Sequence, residues 1–484
     1  MGVGVSNWRL ARAVSLANQL GVVSGTALDS LLVRRLQDGD AGGHMRRAIE
    51  RFPILGVGAH VLQRYFRPEG RPEGTPYKLL PMFKQRVSVL RQQLTMLANF
   101  VEVYLAKEGH LGRVGTNLLT KVQMPNLASL YGAMLAGVDY VLMGAGIPRE
   151  IPGALDALAE HRAASMRFDV EGLAPGEVEY LTFDPADHWP GGAPAALRRP
   201  WFLPIVSANS LATTLARKAN GHVDGFVVEG STAGGHNAPP RGELRLDERG
   251  EPVYGARDEV DLAKLAELGL PFWLAGGRGS PDGLRYARAA GATGIQVGTL
   301  FAYCNESGLT PDLRRRVLEG VVSGQARIST DPRASPTGYP FKLVEVPGID
   351  SQDDGRTRVC DLGYLRMAYR TPTGTIGYRC AAEPVDTFVA KGGAATDTVG
   401  RRCLCNGLVA DVGHPQVRRD NQEEKPLIQE EKPLITSGDD LLAIGGFLKG
   451  RATYSAADVI AYLLAAPAAQ AAGGTPLASA TVGP

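Results

Sequence analysis

The stretch DGFVVEGSTAGGHNAPP, residues 224–240, decides the fold because a short apolar run passes directly into a glycine-rich turn. The run is continuously apolar rather than alternating, which is typical of a parallel strand covered on both faces. The turn holds two adjacent glycines and one histidine, His236. Because glycine lets another group approach the backbone closely, the turn is a candidate binding site, and His236 could be a base, a ligand or an ordinary loop residue.

Seven further apolar runs of the same kind extend from this stretch toward both ends of the chain. They are VGV near Val3, LGVVSG from Leu20, RVGTNLL from Arg113, DYVLMGAG from Asp139, WFLPIVS from Trp201, PFWLAGG from Pro271 and GIQVGTLF from Gly294. Helical patterns fit between them, such as SPDGLRYARAAGA with Ser280 as its N-cap. Eight strands alternating with helices predict an α/β fold of the (β/α)8 TIM-barrel type. An open doubly wound sheet is the less favoured alternative, since no GxGxxG opens a helix.

The order of apolar runs and helical patterns along the sequence divides the chain into three parts. Residues 1–330 are predicted to form the barrel, with insertions at about 53–110 and 150–200, the second read as a hairpin or lid between strands four and five. Residues 331–464 are predicted to form a cysteine-containing, mostly helical extension. Residues 465–484, rich in alanine, glycine, proline, serine and threonine, are predicted to be a disordered tail.

Composition excludes several classes of protein. Among 484 residues, 52 lysines and arginines nearly balance 50 aspartates and glutamates, so no global charge draws the chain to nucleic acid or anionic membranes. No apolar run approaches the length of a membrane-spanning helix. Five cysteines without a recognisable export signal are expected to be reduced thiols or metal ligands, and the predicted location is the cytoplasm.

The turns after the last two predicted barrel strands suit a phosphate. Ligands of such barrels sit at the carboxyl ends of the strands, and phosphate is commonly held after strands seven and eight. Those turns are AGG at residues 275–277 and VGT at residues 297–299, where glycines make backbone N–H groups accessible. His236 follows strand six, so its ring can face the barrel mouth, where a histidine of near-neutral pKa could exchange a proton with a carbon acid.

Six motifs in one order resemble those of nitronate monooxygenases, also called 2-nitropropane dioxygenases. They are LGVVSGTALD, VGTNLL, GAGIP, VVEGSTAGGHNAP, LAGGRGS and GIQVGTLFAYC, and the resemblance spans roughly residues 1–345. The family forms FMN-dependent TIM barrels and includes FMN-dependent enoyl-ACP reductases. By this resemblance His236 is the catalytic base, and the flavin contacts are Asn117, Ser207, Glu229, Gly234, Gly235, Gly276, Gly277, Gly298 and Thr299. The family's first strand runs into a methionine, whereas this chain starts with MGVGVS, which predicts a shortened first strand.

The resemblance implies that FMN accepts electrons from an alkyl nitronate and that O2 completes its oxidation to a carbonyl compound and nitrite. His236 would remove the α-proton when a neutral nitroalkane is offered. One alternative is an FMN- and NAD(P)H-dependent enoyl reductase of a fatty-acid or polyketide pathway, and another is a non-catalytic flavin or metal scaffold. The implied partners are a small nitronate or nitroalkane and O2, without nucleic acid or membrane, and formation of a homo-oligomer is left open.

Four cysteines, Cys360, Cys380, Cys403 and Cys405, fall within 46 residues of the predicted extension. Four thiols could form a tetrahedral zinc or iron–sulfur site, or they could be small buried apolar side chains. Their spacing contains none of the usual CxxC pairs, so no metal site is predicted and the four remain candidates only. Cys304 has no base beside it in the sequence and is predicted to be a packing residue.

Overall fold

The computed structural model of the chain describes residues 2–349, 356–420 and 427–466. Its strands are β1 (Gly21–Ser24), β2 (Val114–Leu119), β3 (Tyr140–Gly144), β4 (Ala164–Phe168), β5 (Val170–Glu171), β6 (Glu179–Phe183), β7 (Trp201–Val206), β8 (Phe226–Glu229), β9 (Phe272–Ala275), β10 (Gly294–Gln296), β11 (Arg327–Asp331), β12 (Phe341–Glu345), β13 (Met367–Arg370), β14 (Ile376–Arg379), β15 (Val417–Asp420) and β16 (Leu427–Glu430).

The α-helices alternate with the parallel strands through the first two thirds of the chain, and further short helices follow. They are α1 (Trp8–Leu16), α2 (Leu28–Gln37), α3 (His44–Ile49), α4 (Val57–Tyr65), α5 (Val89–Lys107), α6 (Asn126–Leu135), α7 (Ile151–Ala159), α8 (Asn209–Lys218), α9 (Leu262–Ala266), α10 (Pro281–Ala289), α11 (Thr299–Ala302), α12 (Pro311–Val322), α13 (Val385–Ala390), α14 (Leu404–Ala410), α15 (Ile444–Leu448) and α16 (Ala456–Leu463). Single 3₁₀ turns lie at Ala41–Gly43, Pro185–His188, Ala256–Asp258, Ala395–Thr398 and Asp439–Ala443. As predicted, Ser280 caps α10, its side chain accepting from the N–H of Gly283.

A curled sheet of seven parallel strands forms the centre of the fold. Its order is β1-β2-β3-β7-β8-β9-β10, and every pairing in it is parallel. Seven of the eight apolar runs identified in the sequence are these strands, so the predicted α/β fold with a parallel sheet is confirmed. Among the described strands no ladder joins β10 to β1, and the sheet is therefore an open, half-barrel arrangement.

The strand predicted near Val3 is wrong, because residues 3–5 form a turn. Gly4 has φ +64°, a left-handed backbone conformation that interrupts an extended chain. The segment is nevertheless docked on the sheet: the carbonyl of Ser6 accepts from the N–H of Ser24, and the carbonyl of Val5 accepts from the N–H of Gly308. The N-terminal residues therefore lie beside β1 without adding an eighth strand.

Both faces of the sheet are covered, which explains the continuous apolar runs. Leu142, Leu203 and Val227 pack together on the concave face, while their neighbours Val141 and Phe202 belong to the large core under the helices. Successive residues of a strand point to opposite faces, so a strand buried on both sides must be apolar at every position.

The two insertions add one long helix and one hairpin. The helix α5 packs against α6, and it begins at Val89 with Ser88 as its N-cap. The hairpin pairs β4 with β6 in antiparallel register, as the sequence indicated. Its Phe183 lies against the ring of Tyr131 on α6, so the hairpin covers the helical layer.

The region after residue 331 is mixed rather than mostly helical. Its described residues between 340 and 464 form five short strands and four short helices, because its apolar runs are too short and too often broken by glycine to form long helices. Its side chains join two cores: Tyr364 and Val409 pack into the core under the sheet, and Phe447 packs with Leu10 and Val14 of α1. The predicted disordered tail lies outside the described residues from 467 onward.

No helix in the described ranges combines the length and the apolar content needed to cross a lipid bilayer.

A substitution of Gly132 tests the close packing of α5 on α6. A Cβ at Gly132 would overlap the backbone carbonyl of Met96, so Gly132→Ala should force the helices apart. We expect a loss of about 1–3 kcal/mol in the free energy of unfolding, measured by denaturant titration. The matched control is Gly446→Ala, also inside a helix, where a Cβ meets open space and the better helix propensity of alanine should leave stability equal or slightly higher. Equal losses in both variants would contradict the packing argument.

Candidate functional site

A cavity of about 920 Å³ lies at the carboxyl ends of the parallel strands. Its walls include Asn117 on β2, Gly144 at the end of β3, Glu229 at the end of β8 and Gln296 at the end of β10. This is the edge at which ligands bind in parallel α/β sheets. Of the residues predicted from the sequence, the cavity brings together Asn117, Glu229, Gly234, Gly235 and His236.

His236 is held in place by contacts from the region after residue 331. Its Nε2 lies 2.7 Å from the hydroxyl of Ser335, and its ring stands edge-on to Phe341 with 4.9 Å between ring centroids. Residue 236 also forms an isolated β-bridge with Phe341. Burial lowers the pKa of His236 to about 4, so the imidazole is neutral at neutral pH and can accept a proton.

Ser335 is a functional residue that the sequence reasoning missed. Its hydroxyl is fully buried, accepts from the N–H of Thr337 and lies 2.7 Å from the Thr337 hydroxyl. If Ser335 donates its own proton to Thr337, it can accept a hydrogen bond from Nε2–H of His236. That arrangement leaves Nδ1 as the unprotonated nitrogen. No local pattern marks Ser335, because it lies 99 residues from His236 in the chain.

Glu229 stands on the cavity wall with no hydrogen-bond partner among the described residues. The Glu229 side chain faces the cavity on one side and packs against protein atoms on its other sides. Burial raises the pKa of Glu229 to about 7, because a charged carboxylate is poorly solvated there. At pH 7 the cavity thus holds a neutral histidine and a carboxyl group that is about half protonated.

The cover of the cavity comes from the C-terminal region, and the lid predicted at residues 150–200 contributes no wall residue. The covering side chains are apolar for the most part, namely Phe341, Tyr364, Leu365, Leu404, Cys405, Leu408 and Thr436. Periodicity could not predict this, because each of these residues belongs to a different short element. Gly2 and Val3 close the remaining side.

The glycines of the opening stretch are explained by the chain itself. Residues 436–440, here called the closing segment, pass directly over the turn that carries His236. A Cβ at Gly234 would lie 2.7 Å from the backbone nitrogen of Gly438, and the N–H of Gly235 donates to the Thr436 hydroxyl at 2.8 Å. The close approach that the sequence indicated is therefore made, at Gly234, by the protein's own backbone.

The predicted phosphate turns lie on the other side of the closing segment and do not line the cavity. The hydroxyl of Thr299 accepts from the N–H of Gly438 at 3.0 Å, and a carboxylate oxygen of Asp440 accepts from the N–H of Gly279 at 3.0 Å. Gly276 and Gly277 both have positive φ, so their amides turn outward. In the described chain no acceptor faces the N–H of Gly277, Gly298 or Thr299.

The remaining candidates fall elsewhere. Ser207 follows β7 outside the cavity wall, and its carbonyl accepts from Arg241 at 2.8 Å. Cys304 is fully buried in a second core, where burial raises the pKa of its thiol, as expected for a packing residue. In the described part of the chain no group of three or more histidine, cysteine, aspartate or glutamate side chains is arranged to hold a single metal ion.

The segment that carries His236 matches a known family model. Residues 196–326 match the model described as nitronate monooxygenase. The resemblance noted in the sequence is confirmed over these residues, here called the family segment. It includes all the flavin contacts expected by resemblance except Asn117, whereas the four clustered cysteines lie beyond it.

Two curated relatives are nitronate monooxygenases by name. A probable nitronate monooxygenase of Bacillus subtilis is 34% identical over 115 residues, which are 24% of this chain and 31% of that protein. A nitronate monooxygenase of Pseudomonas aeruginosa is 33% identical over 135 residues, 27% of this chain and 36% of that protein. The match thus spans about a third of the length of these relatives.

Solved structures give more distant likenesses. The nitroalkane oxidase from Streptomyces ansochromogenes is 14% identical, with 96% of this chain and 92% of that chain covered at a TM-score of 0.43. FabK from Thermotoga maritima is 17% identical, with 71% and 68% covered at a TM-score of 0.37. Neither likeness bears on the function.

The pKa of Glu229 gives a prediction for stability. Its pKa is raised to about 7 in the folded chain, against about 4.3 in an unfolded one. The folded state therefore holds a proton that the unfolded state has lost, and this contribution to stability is full below pH 4.3 and disappears as the pH rises through 7. Glu229→Gln should remove that decline, so the variant should gain more stability over the wild type at pH 8 than at pH 5.

Thermal unfolding between pH 5 and pH 8 measures this difference. The control is Glu248→Gln, an exposed residue in a loop of the same family segment, which should follow the wild-type curve. The difference in thermal stability between Glu229→Gln and the wild type should change with pH. A constant difference would contradict a carboxyl group that titrates inside the cavity.

Proposed function

We propose that the chain is an FMN-dependent oxidoreductase that oxidises alkyl nitronates with O2 to a carbonyl compound and nitrite. The observation that carries this proposal is the neutral, buried His236 on the wall of a large cavity, within the family segment. A base at that place can remove a proton from a carbon acid such as a neutral nitroalkane.

FMN fits the residues present. The cavity lies at the carboxyl ends of the parallel strands and combines apolar walls with a few polar groups, which is the character of a cofactor site. The N–H groups of Gly277, Gly298 and Thr299 have no acceptor in the described chain and could bind the phosphate if the ribityl chain passes the closing segment, which lies between these turns and the cavity. When bound, FMN supplies the electron chemistry, which no side chain of the protein can perform.

The side chains around the cavity bind, orient and exclude water. Apolar groups such as Ile205, Phe341 and Leu408 would shield the substrate and keep bulk water away from the reacting carbon. His236 would accept the α-proton of a nitroalkane, and Glu229, largely protonated below pH 7, could donate a hydrogen bond to an anionic nitronate oxygen. Asn117 adds a neutral polar group on the opposite wall.

The alternative activity, NAD(P)H-dependent enoyl reduction, is not favoured. Both curated relatives are nitronate monooxygenases by name, and neither is an enoyl reductase. The two activities differ in the electron donor, which gives a direct test.

A visible spectrum of the purified full chain should show bound flavin, and anaerobic addition of an alkyl nitronate should bleach it. NADPH added in place of the nitronate should leave the flavin oxidised over the same time. Bleaching by NADPH alone would replace nitronate oxidation by enoyl reduction, and a protein that takes up no flavin would overturn the flavin proposal.

The role of His236 predicts a difference between two substrates. His236→Ala should lower kcat/KM for a neutral nitroalkane by about 100-fold or more, because a positioned base is lost. For the preformed nitronate, which needs no deprotonation, the loss should be less than about tenfold. Exposed His60→Ala serves as the control and should change neither value. Equal losses on both substrates would assign His236 to binding rather than to proton removal.

The hydrogen bond between His236 and Ser335 predicts a smaller loss of activity on the nitroalkane. Ser335→Ala should lower kcat/KM for the nitroalkane by about tenfold, the equivalent of one hydrogen bond, and leave the nitronate reaction nearly unchanged. Ser335→Thr keeps the hydroxyl and should restore most of the nitroalkane activity. If both variants lose activity equally on both substrates, Ser335 acts through general packing and does not position the base.

A further inference from the structure

The four cysteines of the C-terminal region surround one small cavity. Cys360, Cys380, Cys403 and Cys405 all line a space of about 280 Å³. They reach it from three separate places: the loop before β13, the end of β14 and the start of α14. None of the four forms a disulfide within the described residues, and all are buried or half-buried. Their convergence is a tertiary feature, because 19 residues separate the first two and 22 the second and third.

The thiols interact with one another. The thiols of Cys360 and Cys380 shift each other's pKa in opposite directions, lowering that of Cys360 and raising that of Cys380. Burial raises the pKa of Cys403 and of Cys405, and Cys360 adds to both shifts electrostatically. The four thiols therefore lie close enough together to influence one another.

A side-chain N–H donor points at one of the sulfur atoms. The Asn406 side chain donates to the sulfur of Cys403 at 3.5 Å. Such a donor stabilises a sulfur atom that carries negative charge, and hydrogen bonds to sulfur tune metal–thiolate centres.

Two arginines add positive charge at the edge of this cavity. Arg356 acts electrostatically on Cys403, and Arg366 acts on Cys360, in each case favouring the thiolate. Arg356 is also bound to Glu431, with its Nε 2.6 Å from the carboxylate, which fixes the guanidinium in place. A centre built from four thiolates is anionic, so fixed cations nearby suit it.

We propose that Cys360, Cys380, Cys403 and Cys405 are the ligands of an iron–sulfur cluster. No group of three or more of these side chains is arranged to hold one ion in the described residues, which disfavours mononuclear zinc. In a cluster each thiolate binds one of several iron atoms and inorganic sulfide bridges the irons, so the four sulfur atoms need not surround a single ion. The lack of CxxC pairs is explained in the same way, because three chain segments supply the ligands.

The cluster site is next to the candidate flavin cavity. Leu365, Leu404 and Cys405 line both spaces, so a wall one side chain thick separates them. One electron given up by a reduced flavin would reduce the cluster by one electron, and the reverse transfer would oxidise it. This consequence rests on the proposed function, whereas the binding of the cluster does not.

The test is iron, acid-labile sulfide and zinc analysis of the full chain purified without oxygen, with flavin content measured on the same sample. We expect iron and sulfide in equal amounts, with more than one iron per chain, and an electron paramagnetic resonance signal after reduction by dithionite. If the isolated protein lacks iron, incubation with ferrous iron and sulfide under anaerobic conditions should restore both.

Cysteine variants show whether these thiols are the ligands. Cys380→Ser and Cys403→Ser should each lose most of the iron and sulfide, whereas the control Cys304→Ser, a buried thiol in another core, should keep them. Circular dichroism of each variant reports folding. If a serine variant fails to fold, the metal content of the wild-type chain still decides the proposal.

Four results would each overturn the proposal. They are zinc as the only metal, a wild-type protein that takes up no iron after reconstitution, iron that survives in both cysteine variants, and a disulfide between Cys360 and Cys380 in the anaerobic protein. A sample with flavin but no iron contradicts the cluster alone, and a sample with iron but no flavin contradicts the proposed flavin chemistry alone.

Discussion

The contact between two backbone segments determines the rest of the site. The closing segment at residues 436–440 passes over the turn of His236 so tightly that only glycine fits at position 234. Hydrogen bonds on both sides secure it, from Gly235 to the Thr436 hydroxyl and from Gly438 to the Thr299 hydroxyl. The same contact separates the cavity from the turns predicted to hold a phosphate. The shape of the cavity and the position of His236 therefore both depend on a segment 200 residues further along the chain.

Burial sets the electrostatics of the cavity. It lowers the pKa of His236 to about 4 and raises that of Glu229 to about 7, so at pH 7 His236 is neutral and Glu229 is about half protonated. A neutral imidazole can accept a proton, and a protonated carboxyl group can donate a hydrogen bond to an anion. Burial thus favours a proton acceptor at His236 and a hydrogen-bond donor at Glu229. The apolar side chains of Phe341, Leu365 and Leu408 provide that burial.

The C-terminal region contributes more than a cover. The elements that close the cavity also bring four thiols into one small space, and Leu404 and Cys405 at the start of α14 belong to both walls. Its side chains pack into the cores of the sheet and of α1, so the region is part of the same folded unit. The family segment carries His236 and the glycine-rich turns, and the region after it supplies the enclosure.

The sequence by itself determined the seven parallel strands, the helix caps and the candidate site residues His236, Glu229 and Asn117, because these depend on local apolar runs and on motifs a few residues long. It mispredicted a strand near Val3, where the φ of Gly4 turns the backbone, and it assigned the lid to residues 150–200. Only the tertiary structure decided which chain covers the cavity, that Ser335 contacts His236 and that four distant cysteines converge. The physical reason is that burial and hydrogen bonding between segments far apart in the chain leave no periodic pattern in either segment.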